Sequence, residues 1–272
     1  MPTDVVQYIL ARIQLVHHIG RAAPTCRVIS VAARNARKVR PFSRKVVTLA
    51  GHGFGVNCVA AAPDGRYVIG SEDSIITVWH DGACVRTLQA HPPNHPYAMI
   101  AMEVAVLPGG ARFVSGSVSP LGYTAKLWTL DGVLERTFRV GSHVHCVAAL
   151  PDGVHFVAGL GHPSCEVRLY HVDGTLVHTF EGHDHLVLAV AVTPDGQHIV
   201  SGSRDKLLKV WNVASRSHVS TCNQHAGGVY AVAAMPDGKR ILSGSYKTVG
   251  VPFAGAHEAL GGDAPHLDEL VK

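Results

Sequence analysis

The feature that most constrains the fold of this chain is a turn signal that recurs at nearly constant spacing. Its prolines follow one another at intervals of 45, 43, 43 and 42 residues: Pro63, Pro108, Pro151, Pro194 and Pro236. Four copies read Pro-Asp-Gly and one reads Pro-Gly-Gly. Proline presets the backbone of a turn and glycine tolerates a positive φ angle, so each copy predicts a hairpin between two strands. A period of this length indicates a repeat architecture.

The segments around each turn have the pattern of β-strands. Apolar or alternating segments such as VNCVAAA and VLAVAVT precede the turns, and segments such as RYVIGS and HIVSGS follow them. A third segment holds Trp79, Trp128, Tyr170 or Trp211, and a fourth follows a short polar turn. Because such a small sheet cannot bury both of its faces alone, we expect the repeats to stack as blades around an axis.

At these residues the sequence resembles the WD-repeat β-propeller family. The matching features are Gly51-His52, Gly182-His183, the SGS strand, the Asp turns and the Trp-bearing strand, over residues 45 to about 250. The resemblance implies an all-β propeller of about five four-stranded blades, closed or open, after a short α-helical head. The expected parts are a head and basic linker over 1–44, a propeller over 45–253 with repeats at about 51–90, 91–139, 140–181, 182–223 and 224–253, and an irregular tail over 254–272.

The resemblance also assigns a structural role to the recurring Trp. In that family a His, a Ser or Thr, the turn Asp and the Trp form a hydrogen-bonded tetrad inside a blade. Carried over to the fourth repeat, the tetrad comprises His183, Ser201, Asp205 and Trp211. A buried indole N–H needs an acceptor, so the Trp spacing is interpreted as structural rather than catalytic.

The other repeats keep only parts of this tetrad. The first retains His52, Asp73 and Trp79 but has Ile69 at the Ser position. The second retains His91, Ser115 and Trp128, the third has Ala158 and Tyr170 with no His in register, and the fifth has His225 and Ser243. We expect these losses to weaken single blades without changing the fold.

Closure of the ring is left open by the sequence. The fifth repeat supplies two firm strands and a doubtful third at TVGVPF, where Pro252 argues against a central strand. The segment KVVTLA, residues 45–50, matches an outermost strand and could complete the last blade. A closed five-bladed ring and an open arc both remain expectations.

The head differs from the rest of the chain in charge. Residues 1–45 hold nine Lys and Arg against one acid, whereas the remainder holds 15 basic and 19 acidic residues. The order Pro-x-Asp, apolar helix, IGRAAPTCR and small-residue helix resembles an F-box, which implies docking on the Skp adaptor of cullin ubiquitin ligases. The adaptor-binding positions would be Pro2, Ile9, Leu10, Ile13, Ile19 and Cys26. The alternative is an amphipathic helical cap that packs on the propeller.

Binding to partners is expected on the loops at one end of the blades. In propellers of this family the residue before the turn Asp points to the face that grips partners, which by register implies Glu72, Arg204 and Tyr246. An Arg there could pair with a carboxylate or phosphate, although a solvated turn residue is an equal interpretation.

Catalytic and metal chemistry are not expected. The pairs His143/His145 and His183/His185 place two imidazoles on one strand face, but no Cys or carboxylate stands at ligand spacing. The sequence has no Gly-rich phosphate loop, nucleophile elbow or HExxH motif. We therefore expect no cofactor, no metal and no enzymatic activity.

These observations predict a non-catalytic interaction protein of the cytoplasm, the nucleus or both. The first hypothesis is the substrate-recognition subunit of a cullin-type ubiquitin ligase, in which the head binds a Skp-type adaptor and the propeller binds the target protein. The alternative is a general WD-repeat scaffold with no ubiquitin link. Neither a membrane nor a nucleic acid is expected as a partner, because the apolar N-terminal run is short and polar-interrupted.

Overall fold

Antiparallel sheets make up the described part of the chain. The computed structural model describes residues 56–62, 66–71, 75–90, 100–118, 123–245 and 249–250. Within these residues there are four sheets of four strands and one of three. The predicted all-β fold with four-stranded blades is confirmed. The predicted helical head, the KVVTLA segment and the tail lie outside the described residues.

In every blade the strands pair in chain order as a meander. Blade 1 comprises β1 (Val56–Ala61), β2 (Tyr67–Ser71), β3 (Ile75–His80) and β4 (Ala83–Gln89). Blade 2 comprises β5 (Ile100–Val106), β6 (Arg112–Val118), β7 (Thr124–Thr129) and β8 (Leu134–Arg139). Blade 3 comprises β9 (Val144–Ala149), β10 (His155–Leu160), β11 (Val167–His171) and β12 (Leu176–Phe180). Blade 4 comprises β13 (Val187–Val192), β14 (His198–Ser203), β15 (Leu208–Asn212) and β16 (Ser217–Cys222), and blade 5 comprises β17 (Val229–Ala234), β18 (Ile241–Ser245) and β19 (Val249–Gly250).

The Pro-Asp-Gly turns join the first two strands of their blades, and the side chain of the Asp explains the motif. In blade 3 the Asp152 carboxylate accepts hydrogen bonds from the amides of Val154 and His155, both at 2.9 Å. Gly153 takes a φ of +72°, which few other residues adopt without strain. Asp195 and Asp237 make the corresponding bonds in blades 4 and 5.

Neighbouring blades interlock through a glycine of one blade and valines of the next. A Cβ on Gly116 would lie 2.6 Å from Cγ1 of Val144, and a Cβ on Gly202 would lie 2.5 Å from Cγ1 of Val229. Both valines are fully buried. The glycine of the SGS strand is therefore the site where the inner strand of the following blade seats its side chain.

The inner strands pack side by side in chain order, from β1 through β5, β9 and β13 to β17. No comparable packing joins β17 back to β1 among the described strands. Val56, at the start of β1, is 52% exposed, although the valines at the same register in blades 3, 4 and 5 are 0% exposed: Val144, Val187 and Val229. The five blades therefore form an arc in which the free side of β1 has no following partner in the described residues.

A membrane-crossing element was also sought. In the part of the chain that the structure describes, no helix has both the length and the apolar composition needed to span a bilayer.

Candidate functional site

Two sets of loops lie together at one end of the blades because the strands alternate in direction. One set leads into the first strand of a blade, and the other joins its second and third strands. The described members are residues 140–143, 161–166, 181–186, 204–207 and 223–228. We call this end of the arc the upper face.

The structure brings the four residues of the implied tetrad in blade 4 into one hydrogen-bonded chain. The indole Nε1 of Trp211 donates to Ser201 Oγ at 2.8 Å. Ser201 Oγ lies 2.8 Å from His183 Nε2, and His183 Nδ1 lies 2.7 Å from Asp205 Oδ2. The Asp205 carboxylate also accepts hydrogen bonds from the amides of Leu207 and Asp184, at 2.8 Å and 3.2 Å.

The chemistry of these groups fixes the direction of every hydrogen bond in the chain. An indole N–H can only donate, so Ser201 Oγ accepts from Trp211. The Asp205 carboxylate can only accept, so the Nε2 atom of a neutral His183 is left as the acceptor of the Ser201 proton. The remaining imidazole proton then sits on Nδ1 and is donated to Asp205. Burial lowers the pKa of His183 although the Asp205 carboxylate favours the protonated form. His183 is therefore neutral at pH 7, with its tautomer set by its two partners.

Asp205 anchors the loop that follows β14. Burial alone would raise the pKa of its carboxyl group, but hydrogen bonds from the Leu207 amide and from His183 lower that pKa below its ordinary value. The Asp205 amide donates to Ser203 Oγ at 3.0 Å, and Ser203 Oγ donates to the His185 carbonyl at 3.0 Å. The first half of the β14–β15 turn is thus attached to the loop that precedes β13.

In the other blades the polar group of the aromatic residue has different hydrogen-bond partners. Trp128 Nε1 donates to Ser115 Oγ at 3.0 Å, as expected from the second repeat. In blade 1, where Ile69 replaces Ser, Trp79 Nε1 donates to Thr77 Oγ1 at 2.8 Å. Sequence comparison by position missed Thr77, although a hydroxyl two residues before the Trp shares its strand face and could have indicated it. The remaining first-repeat residues His52 and Asp73 lie outside the described residues.

Blades 3 and 5 have two further arrangements of polar side chains at the tetrad positions. In blade 3 the Arg168 guanidinium hydrogen-bonds to the hydroxyl of Tyr170, which replaces Trp, and Arg168 Nε donates to Glu166 at 3.0 Å. Ser142 lies in the loop that precedes β9, and its hydroxyl lies 2.7 Å from the carbonyl oxygen of Gly161. In blade 5 the distance from His225 Nε2 to Ser243 Oγ is 2.7 Å.

The implied partner-binding residue Arg204 lies on the upper face and is exposed. Its amide donates to the Leu186 carbonyl at 2.9 Å, so its backbone is fixed between two loops. In the described part of the chain its guanidinium makes no hydrogen bond or ion pair. The companion positions Glu72 and Tyr246 lie outside the described residues.

Tyr230 is an exposed aromatic residue beside Arg204 that the sequence did not single out. Its side chain leaves the inner strand β17 and is 56% exposed. Gly228 lies between the two residues: a Cβ there would lie 3.2 Å from Arg204 Cα and 3.4 Å from Tyr230 Cε2. Arg204 and Tyr230 thus form one surface across the boundary of blades 4 and 5, with a glycine as its floor.

The imidazoles that suggested metal binding do lie near one another, without forming a ligand set. His143 and His145 have ring centroids 6.2 Å apart. His183 is taken up by the tetrad, and His185 Nδ1 accepts from the Leu186 amide at 2.8 Å. Among the residues that the structure describes, no group of three His, Cys, Asp or Glu side chains could hold a metal ion.

The proposed adaptor-binding positions cannot be placed on this surface. They all belong to the first 55 residues, which lie outside the described residues: Pro2, Ile9, Leu10, Ile13, Ile19 and Cys26.

Comparison with known proteins identifies repeats of one family in three segments of the chain. Three segments of the chain match the family described as WD domain, G-beta repeat, at residues 43–80, 174–212 and 216–251. Each of the last two begins at the outer strand of one blade and continues into the next, so every such repeat links two blades covalently. No family match covers residues 1–42.

Several curated proteins are similar over much of the chain. WD repeat-containing protein 18 of Homo sapiens is 25% identical over 65% of this chain and 45% of its own length. Periodic tryptophan protein 2 homolog of Dictyostelium discoideum is 28% identical over 64% of this chain and 19% of its own length. Pre-mRNA-processing factor 17 of Saccharomyces cerevisiae is 27% identical over 59% of this chain and 35% of its own length. The chain thus spans less than half the length of these relatives.

A solved structure shares the fold. The WD40 β-propeller domain of Doa1 matches with a TM-score of 0.64 and 26% identity, over 75% of this chain and 64% of that one. Blades 2 and 3 fold as four-stranded sheets although residues 81–173 carry no repeat match. The described blades therefore share the fold of a WD40 β-propeller, and three segments of the chain match its repeat family.

Proposed function

We propose that this protein is a non-catalytic scaffold that binds partner proteins through the upper face of blades 4 and 5. The observation that carries this proposal is the pair Arg204 and Tyr230, which are exposed, adjacent and held by buried structure. Arg and Tyr are enriched among the residues that dominate the energetics of protein interfaces.

Rigidity of the Arg204 loop favours binding over a merely solvated role. The residue that follows it is Asp205, whose carboxylate holds His183 and two backbone amides. A guanidinium on a fixed backbone loses less conformational entropy on binding than one on a mobile loop. Because it has no partner in the described part of the chain, its charge remains available for a carboxylate on another protein.

The relatives support a scaffold more than a ligase subunit. Those compared above share WD repeats with this chain, and their names give no link to ubiquitin ligation. We propose an intracellular location, in the cytoplasm, the nucleus or both. The free thiols of Cys58, Cys84, Cys146, Cys165 and Cys222 are consistent with a reducing compartment.

Affinity capture with matched variants tests the proposal. Quantitative mass spectrometry would compare the proteins captured by wild type, by the double variant Arg204→Glu/Tyr230→Ala and by the control Lys239→Glu. The control changes an exposed charge at the opposite end of blade 5. We expect a set of proteins that the control retains and the double variant loses by tenfold or so, as removal of two interface residues predicts. Equal recovery by all three folded proteins would contradict binding through this surface.

The narrower role of substrate receptor for a cullin-type ligase rests on the F-box-like pattern of the head. No family match supports that pattern. Its test is capture of a Skp-type adaptor by the full chain and by Leu10→Asp/Ile13→Asp. Adaptor binding that this variant loses would support the receptor role, and no binding by the folded wild type would remove it.

A further inference from the structure

Four histidines gather on the upper face beside Arg204, and the tetrad uses none of them. They are His143, His145, His162 and His185, here called the histidine cluster. The ring centroids of His143 and His145 are 6.2 Å apart, and those of His162 and His185 are 5.1 Å apart. The cluster joins three segments of blades 3 and 4, whose histidines are at least 17 positions apart in sequence.

Close packing brings the two pairs together. A Cβ on Gly161 would lie 2.5 Å from His145 Nε2, so the His145 ring rests on the backbone directly before His162. Burial, together with the charges that His143 and His162 can carry, lowers the pKa of His145 to about 4. His162 is exposed and His185 is half-buried, so these two imidazoles can meet both solvent and a ligand.

The inner pair lacks the partners that would explain it as core structure. Nδ1 of His143 and Nδ1 of His145 are buried and have no hydrogen-bond partner among the described residues. The edge of Tyr123 meets the His143 ring, with centroids 4.8 Å apart. Apolar side chains would fill the same space without leaving buried nitrogen atoms unpaired. Packing alone therefore does not explain why imidazoles stand at these two positions.

The neighbouring charges offer little compensation for protons gained by the cluster. Of the nearby acids, Asp205 is held by His183, Glu166 pairs with Arg168 at 2.8 Å, and Glu103 accepts from the Val147 amide. Glu181 and Asp184 are the remaining carboxylates of these loops. The other charged or titratable groups of the adjoining elements are the Cys165 thiol, 3.6 Å from His162 Nδ1, the Tyr123 phenol, and the cations Arg168, Arg204, Lys206 and Lys209.

We propose that the histidine cluster and Arg204 together form a docking surface for an acidic, extended segment of a partner protein, and that the surface binds this segment more tightly as the pH falls below neutral. The proposal rests on the proposed function, because it names the chemistry of a partner for the same face. Imidazole is the side chain that changes its charge between pH 5 and 8. A ligand that binds the protonated form better must draw protons onto the cluster.

An acidic peptide fits this face better than a nucleic acid. Outside the basic head the chain carries more acidic than basic residues, 19 against 15, so it lacks the basic excess typical of nucleic-acid-binding proteins. Leu186 and Tyr230 border the cationic groups and give apolar contacts to the side chains of a peptide.

Binding of a labelled decaglutamate peptide to the full chain tests this proposal. Fluorescence anisotropy would be measured at about pH 7.5 and about pH 6 at constant ionic strength, over the range in which imidazoles titrate. We expect a gain in affinity on the order of tenfold at the lower pH, because a ligand that favours protonated imidazole draws protons onto the cluster. A decalysine peptide is expected not to bind.

Variants separate the contributions. His162→Gln/His185→Gln is expected to remove most of the gain at the lower pH, and Arg204→Gln to weaken binding at both pH values while the gain persists. His80→Gln, at the opposite end of blade 1, is the matched control and should behave as wild type. Circular dichroism melting would establish that each variant is folded. Because His162 is exposed, its replacement is expected to leave the fold intact.

Three results would overturn the proposal: affinity that does not depend on pH, a gain that persists in His162→Gln/His185→Gln, or tighter binding of a single-stranded RNA of equal charge. Absence of decaglutamate binding at both pH values would do the same. These results would not contradict the scaffold proposal. That proposal is tested separately, by whether Arg204→Glu/Tyr230→Ala loses captured proteins at neutral pH.

Discussion

At the residue scale, the tetrad of blade 4 shows how one hydroxyl can hold a buried network together. Ser201 Oγ accepts from the Trp211 indole and donates to His183, so it satisfies two buried nitrogen atoms. The sequence motif was sufficient to choose these residues. It was not sufficient for blade 1, because Thr77 reaches the indole from the same strand, at a position where blade 4 has Lys209.

Replacing Ser201 by Ala should therefore cost more than the loss of one hydrogen bond. The change leaves the Trp211 N–H and His183 Nε2 buried without partners, which predicts a loss of about 2–4 kcal/mol in the free energy of unfolding. Urea denaturation followed by tryptophan fluorescence measures it. Ser217→Ala, an exposed position on β16, is the control and should change stability by less than about 0.5 kcal/mol. Equal effects would mean that the network is not a structural unit.

The buried imidazoles predict how stability depends on pH. The pKa of His145 is about 4 in the folded chain and near 6.5 in the unfolded one. Between these values the unfolded state binds more protons, so the free energy of unfolding should fall as the pH falls from about 6.5 towards 4. His143, His183 and His225 act in the same direction, because burial lowers the pKa of each.

Thermal melting across this range would measure the effect. His145→Gln should make the stability less dependent on pH, because glutamine takes up no proton in either state. His80→Gln, on the exposed end of β3, should leave the slope unchanged. A slope that is the same in His145→Gln and wild type would contradict the low pKa of His145.

At the element scale, the repeat period and the turn chemistry carried most of the prediction. The Pro-Asp-Gly turns and the apolar strands fixed the order of elements even in blades 2 and 3, where the repeat motif is degraded. The role of the SGS glycine was not visible in sequence, because it depends on a valine about 28 residues further along the chain. Only the stacking of blades brings the two together.

Gly202→Ala is predicted to force blades 4 and 5 apart. The new Cβ would lie 2.5 Å from Cγ1 of Val229, closer than real side chains approach, and overpacking of this kind costs about 1–3 kcal/mol. Val229→Ala in the same chain should recover part of the loss, because it removes the clashing methyl groups. Denaturation of both single variants and the double variant measures the coupling. Purely additive losses would contradict direct contact between these positions.

At the scale of the whole molecule, the described blades form an arc with a terminal blade at each end. The inner strand β17 packs on β13 and β1 packs on β5, while Tyr230 on β17 and Val56 on β1 remain exposed. Sequence could not decide between an arc and a ring, because closure depends on blade geometry accumulated over five repeats rather than on any one motif. The histidine cluster was equally hidden, since it forms only where loops of two blades meet.

The central claim also concerns the whole molecule: partners bind on the upper face of blades 4 and 5. Hydrogen–deuterium exchange of the chain alone and in complex with its most abundant captured partner tests this most directly. The account predicts slower exchange at residues 204–207 and 227–231, with the outer strands β8, β12 and β16 unchanged. Protection confined to those outer strands, or to the turns at 151–153, 194–196 and 236–238, would contradict it.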